Sequence, residues 1–211
     1  MSRSAAAPGA IVEAFMPGQY AAEALMQLLL GKAVPSGLLP VTVYDADFIT
    51  RRPITNLHLR DAGGITYRYF DGTPLWPFGF GMSYANLLFS GNASAVVHTT
   101  VKAAASEPLC LAVTVIHQGG PVSDVVLMGF ISSDHTDAPR NGKLCDFARE
   151  GAIEPGQRRT VHLCVGKALP LVDEHGHERV LTGEYTVRVG VSGGVGGAGA
   201  GSVVGKVIVN A

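Results

Sequence analysis

The amino-acid sequence predicts a mostly β chain of the α+β class, in which a short α/β segment precedes an antiparallel β-sandwich. Three observations carry that expectation. Hydrophobic residues make up 47% of the 211 residues and charged residues only 16%, with a mean hydropathy of +0.26. That is enough apolar side chain to bury a real core, and it excludes intrinsic disorder for most of the length. The 27 glycines and 12 prolines punctuate the chain into short elements and argue against long helices. From about Ser94 onward, short apolar segments recur at the intervals of a sandwich.

The elements follow in order. Residues 11–16 (IVEAFM) read as a short buried strand between Gly9 and Pro17-Gly18. Ala21, Leu25, Leu28 and Leu29 then fall at i, i+4, i+7 and i+8, predicting a helix over Tyr20–Leu30 that ends at Gly31. Leu38–Tyr44 is β-rich, and Thr66–Phe70 (TYRYF) alternates well enough to be a strand. Pro74–Gly81 holds two prolines and two glycines among large apolar side chains, the composition of a packed loop.

Beyond Ser94 the predicted strands are Val96–Lys102, Leu109–His117, Asp124–Ser132, Arg159–Val165, Glu184–Val191 and Val203–Val209. Leu109, Leu111, Val113 and Val115 alternate with Cys110, Ala112 and Thr114, as in a strand with one buried face. Val161, Leu163 and Val165 do the same against Thr160, His162 and Cys164. Turn signals at Gly119-Gly-Pro121, Asn141-Gly142, Glu154-Pro-Gly156, His175-Gly176 and Thr182-Gly183 separate the segments. The pattern is that of an immunoglobulin or fibronectin type sandwich. Gly193–Ser202 is read as a flexible glycine-rich loop before a last edge strand.

Charge excludes some partners. A formal net charge of −1 offers no basic surplus for nucleic acid or an anionic membrane. No apolar h-region precedes Pro8-Gly9, so no signal peptide is read in this chain, and the run Ile11–Met16 is far too short to span a bilayer. Three cysteines (Cys110, Cys145, Cys164) cannot form a complete disulfide framework, and none sits in a CxxC.

Five ordered motifs then carry a resemblance. Pro17-Gly-Gln19 running into a helix, with Pro35-Ser-Gly-Leu-Leu-Pro40, resembles the end of the second domain of glycoside hydrolase family 3. Thr66–Gly72 and Pro77–Tyr84 resemble that family's closing signature. Ala152–Thr160, Leu171–Glu174 and Thr182–Gly190 resemble its fibronectin type III-like domain. Tyr44–Arg60 and Val172–Val180 are most similar to the β-xylosidase and α-L-arabinofuranosidase branch, with the β-glucosidase branch as alternative. The chain departs from the pattern at Ala21-Ala22, where the family has paired glycines.

The resemblance implies residues 1–10 as an unstructured start, 11–90 as the C-terminal part of an α/β sandwich domain, and 91–211 as the fibronectin-like domain. It implies hydrolysis of O-glycosyl bonds by a retaining enzyme, whose two carboxyl groups lie about 5–5.5 Å apart. It places both outside this chain, in and after an N-terminal (β/α)8 barrel. The expectation is therefore a supporting fragment with no catalytic residue of its own, no cofactor and no metal. Its oligosaccharide substrate would be met only within a full, secreted enzyme. The alternative is a stand-alone module that binds a protein or a glycan.

Local candidates are weighed against plainer readings. Asp45 and Asp47 are two apart, but pairing with Arg51 or Arg52 accounts for them; Glu13 and Glu23 are isolated. His175-Gly-His177, with Asp173, Glu174 and Glu178, reads as an inter-strand turn rather than a zinc cluster. His58, His98, His117, His135 and His162 are scattered surface or packed residues. Trp76, Phe78 and Phe80 either stack on sugar or seal the sandwich against the linker. Asn92-Ala-Ser94 is an N-glycosylation sequon. Cys110 and Cys164 share a face on strands expected to pair, and a bridge is excluded if their Cα atoms lie more than about 7 Å apart.

Overall fold

The computed structural model describes residues 9–91, 100–102, 110–173, 175–190 and 203–210. Among these residues ten strands and three short α-helices follow in order. The helices α1 (Ala21–Leu29), α2 (Phe48–Arg51) and α3 (Thr66–Tyr69) all precede the strands β1 (Asn86–Gly91), β2 (Thr100–Lys102), β3 (Cys110–Gly119), β4 (Ser123–Ser133), β5 (Lys143–Ile153), β6 (Arg158–Cys164), β7 (Leu171–Val172), β8 (Glu178–Arg179), β9 (Gly183–Gly190) and β10 (Val203–Asn210).

The strands make a sandwich. One sheet has the order β1-β3-β6, the other β2-β10-β9-β4-β5, and β7-β8 form a small ribbon. Every pairing is antiparallel except β10 with β2. The period-two pattern explains the core. Val113 and Val115 of β3 and Val161 and Leu163 of β6 meet Val125 and Leu127 of β4, with Val187 and Val189 of β9 and Val207 and Val209 of β10. His117 is buried in the same layer, 2.9 Å from the Pro121 carbonyl through Nε2.

Several expectations need correction. Val203–Asn210 lies inside its sheet, between β2 and β9, rather than at an edge. The sandwich starts at Asn86, ahead of the expected boundary at 91, because Leu87 and Phe89 turn inward as β1 registers along β3. The expected strand Val96–Lys102 contributes Thr100–Lys102; its earlier residues, like most of Met1–Ala10, His98, Asn92 and the whole of Gly193–Ser202, lie outside the described residues. Strand β5 was not expected at all. Lys143, Asp146, Arg149 and Glu150 hide its alternation, and charge of this kind suits a sheet edge, where it blocks further pairing.

The segment before Asn86 is an arm of loops and single turns. Residues 11–16 form no strand: they are irregular, with Phe15 at φ +48, join no sheet among the described residues and are mostly exposed, Met16 to 98%. Helix α1 does form, and Gly31 closes it at φ +69 in a Schellman motif, with N–H bonds from Lys32 to the Gln27 carbonyl and from Gly31 to that of Leu28. Leu38–Tyr44 is extended but joins no sheet. It pairs with the aromatic loop instead, through Leu39 with Phe80 and Gly79, and Val43 with Trp76.

Thr66–Tyr69 is helical, not a strand. Gly64 (φ +74) brings the chain so close that a Cβ there would lie 2.1 Å from the Tyr69 carbonyl oxygen, and the Thr66 N–H donates to the Tyr44 hydroxyl at 2.6 Å. Those tertiary contacts override the alternation of TYRYF.

Candidate functional site

The chemistry-bearing residues of the arm collect at its junction with the sandwich. Tyr44 and Phe48 stack at 4.0 Å, and Phe70 meets both edge-on at 4.9 and 5.7 Å. Burial pushes the Tyr44 hydroxyl above its ordinary value, against the bond from Thr66 that lowers it. Arg52 is only 5% exposed and faces no carboxylate among the described residues. Its guanidinium donates to the carbonyls of Asn56 (3.0 Å), His58 and Asp61, and so cross-braces the loop Pro53–Asp61. Carbonyl dipoles stabilise its charge where water does not reach.

A second aromatic group crosses between the two parts. Tyr67 of α3 stacks on Phe78 at 4.4 Å, and both meet Phe130 of β4 edge-on, at 5.7 and 6.2 Å. Polar contacts surround them. The Leu144 N–H donates to the Tyr67 hydroxyl at 3.1 Å, and Asn141 donates through Nδ2 to the Phe70 carbonyl at 2.7 Å and through its backbone to that of Arg68 at 3.0 Å. Arg60 lies over the Tyr69 ring at 4.9 Å and reaches the Thr136 and Asp137 carbonyls, each at 3.2 Å. Arg140 pairs with Asp71 at 3.0 Å. The connection between β4 and β5 thus grips the segment 58–71 from the sandwich side.

The sequence candidates fall out as follows. Asp45 is held by Arg51 through both carboxylate oxygens at 2.9 Å, while Asp47 stands at the start of α2 and is not drawn to it. Glu23 is exposed on α1, and Glu13 accepts the Phe15 N–H at 2.8 Å. Asp173 gathers the N–H groups of His175 and His177 and the guanidinium of Arg179, which together close the β7–β8 turn. Those contacts, the His177 N–H foremost, hold its carboxyl below the ordinary range. No group of three His, Cys, Asp or Glu able to hold a metal occurs among the described residues.

In the aromatic loop, Phe78 takes the sealing role, whereas Trp76 and Phe80 are half-buried with their carbonyls bonded to Val43 and Leu39. Cys110 and Cys164 lie opposite each other across β3 and β6, with Cα atoms 3.9 Å apart, and form a disulfide. Cys145 is free, and burial pushes its thiol up to about 11. Sequence reasoning read Arg52 only as a partner for Asp45 or Asp47 and Asn141 only as half of a turn signal; their bracing roles were missed, since both act on backbone carbonyls brought near only by the fold.

The architecture defines a class: a β-sandwich module clamped to an arm of loops and short helices that precedes it in the chain. Residues 1–84 match the glycosyl hydrolase family 3 C-terminal domain. The exo-1,4-β-xylosidase xlnD of Aspergillus oryzae is 32% identical over 192 residues, covering 81% of this chain and 24% of that protein. The exo-1,4-β-xylosidase bxlB of Emericella nidulans is 33% identical over 204 residues, covering 90% and 26%. A solved exo-β-xylosidase of the same family, in complex with a xylobiose aziridine activity-based probe, superposes with a TM-score of 0.77 over 92% of this chain and 27% of its own, at 24% identity. A β-glucosidase from Listeria innocua in complex with glucose gives 0.72 over 94% and 28%, at 21% identity, which likewise speaks to the fold. The chain belongs to glycoside hydrolase family 3, in the C-terminal region of that family, and spans about a quarter of the length of the curated relatives it matches.

Proposed function

We propose that these residues are the supporting C-terminal part of a secreted exo-acting β-xylosidase, with the sandwich bracing an arm that completes the wall of the active site. The observation that carries the reading is the run of 30–33% identity to fungal exo-1,4-β-xylosidases across both arm and sandwich. In that role the catalytic carboxylates lie in the rest of the enzyme, and the xylo-oligosaccharide is met at the assembled site. The disulfide between Cys110 and Cys164 supports an oxidising, extracytoplasmic setting.

The partner in this reading is the remainder of the enzyme, including its barrel domain. Of the 20 large hydrophobic side chains exposed among the described residues, 15 lie between Ile11 and Tyr84. Clustered apolar exposure of that kind suits a surface that is covered by protein.

The test is turnover of an aryl β-xyloside by residues 1–211, alone and beside a form carrying the barrel. The expected outcome is hydrolysis of the xyloside over the matching glucoside by the longer form and none by the 211 residues. Saturable hydrolysis by the 211 residues alone would overturn the supporting role. A long form that prefers the glucoside would move the enzyme to the β-glucosidase branch.

A further inference from the structure

We propose that the Cys110–Cys164 bridge is a thiol-exchange site on the folded protein, with Cys110 as the sulfur that takes an incoming low-molecular-weight thiol. The placement of the three cysteines carries this. Cys110 is the first residue of β3 and is exposed. Its partner lies directly across the ladder at the end of β6, on the outward face shared with Ala112, His162, Thr114 and Thr160. Among the described residues strand β6 is the last hydrogen-bonded strand of its sheet, and β5 of the other sheet passes beside it.

The two ends of the bridge are not equivalent. Cys164 is half-buried, and its N–H donates to Asp146 Oδ2 of β5 at 2.7 Å, which ties this end of β6 to the opposite sheet. Leu163 and Val165 on either side of it are fully buried. Opening the bridge therefore leaves β6 anchored by its neighbours, while Cys110 is the exposed first residue of β3, beyond Val113, where the recorded pairing with β1 stops. Exchange favours the sulfur an incoming thiolate can reach, and here that is Cys110.

Cys145 stays out of the exchange. Its side chain turns toward the core, so close to Gly129 that a Cβ there would lie 3.1 Å from its Sγ. Burial also holds the thiol up at about 11, so little thiolate forms near neutrality.

The step balances as follows. A thiolate attacks Cys110 Sγ, the bond between the two cysteine sulfurs breaks, and its electron pair leaves on Cys164, which takes a proton from water. The product is a mixed disulfide on Cys110 and a free Cys164 thiol. A second small thiol then attacks the sulfur of the adduct, releasing the Cys110 thiolate and a small-molecule disulfide. Two thiols are oxidised for each bridge reduced.

The experiment incubates the 211-residue chain and its Cys145→Ser variant with reduced glutathione at neutral pH and ambient temperature. Acid quench and peptide mapping then locate the adduct, and circular dichroism is read on the same samples. The expected result is glutathione on Cys110, free Cys164, unlabelled Cys145 and an unchanged far-ultraviolet spectrum, in both proteins alike. An adduct on Cys164 or Cys145, loss of exchange in the variant, no exchange, or exchange only with loss of the spectrum would each overturn the proposal.

Discussion

The arm and the sandwich are built from similar proportions of apolar side chain but use them in opposite ways. Among the described residues before Phe89, Phe70 is the only buried hydrophobic one, whereas the sandwich buries whole rows from β3, β4, β6, β9 and β10. In the arm, Met16, Ile54 (95% exposed) and Leu57 (82% exposed) face outward. Helix α1 has the spacing of an amphipathic helix, yet none of its residues is buried. The lesson is that periodicity reports which face wants cover, and the cover must come from elsewhere. The sandwich supplies its own; the arm draws on the sandwich at one aromatic junction.

Breaking that junction gives the largest expected effect. Phe130→Ala removes the ring on which Tyr67 and Phe78 converge and costs about 3–5 kcal/mol. Limited proteolysis should then cut within Pro53–Asp61 first, while the sandwich strands stay intact. Simultaneous cleavage of both regions would show that the two parts do not separate.

The disulfide comes next. Cys110→Ser with Cys164→Ser opens a link across 54 residues, and the lost constraint amounts to about 4 kcal/mol. Denaturant titration should show the whole loss in the sandwich transition, with no change in susceptibility of the arm to protease. Tyr67→Phe is milder. It leaves the ring stack in place and strands the Leu144 N–H, at a cost of about 1 kcal/mol.

Smaller still is the acid response of Asp124. Its carboxyl is held below the ordinary 3.8, by Arg149 first and by the Ala152 N–H second. A depressed carboxyl stabilises the fold above the unfolded-state value and loses that contribution as pH falls through the folded one. Asp124→Asn should therefore lower stability slightly at neutral pH, by less than about 1 kcal/mol for so exposed a pair, and the difference should fade as pH drops below the ordinary 3.8 and through the lower folded-state value. A gap that stays constant as the carboxyl is protonated would mean the carboxylate charge is not the source. Leu57→Ser closes the series: stability should stay within about 0.5 kcal/mol, while binding of an apolar dye falls. Loss of stability there would place Leu57 in a core.

Much of the sandwich was legible because one buried face leaves period two in the sequence. Val113, Val115, Val161 and Leu163 sit where alternation places them. Strand β5 was not, because an edge strand exposed on one flank admits Asp146, Arg149 and Glu150 among its apolar residues. The arm misled in a different way. IVEAFM has a strand's composition, but no strand among the described residues lies beside it. TYRYF has a strand's alternation, but Gly64 and the Tyr44 hydroxyl wind it into a helical turn. The shared face of Cys110 and Cys164 was readable, whereas their bridge depended on the register of β3 against β6. The clamp at Arg60, Arg140 and Asn141 left no mark, since it is assembled from residues about 70 positions apart acting largely on backbone carbonyls.

On this reading the sandwich is self-sufficient and the arm is a surface awaiting cover. Hydrogen exchange read by mass spectrometry on the 211-residue chain tests it most directly. Peptides from β3, β4, β6 and β9 should exchange only through global unfolding, and those from residues 9–60 through local opening, orders of magnitude faster. Protection of the arm as deep as that of the sandwich would contradict the account.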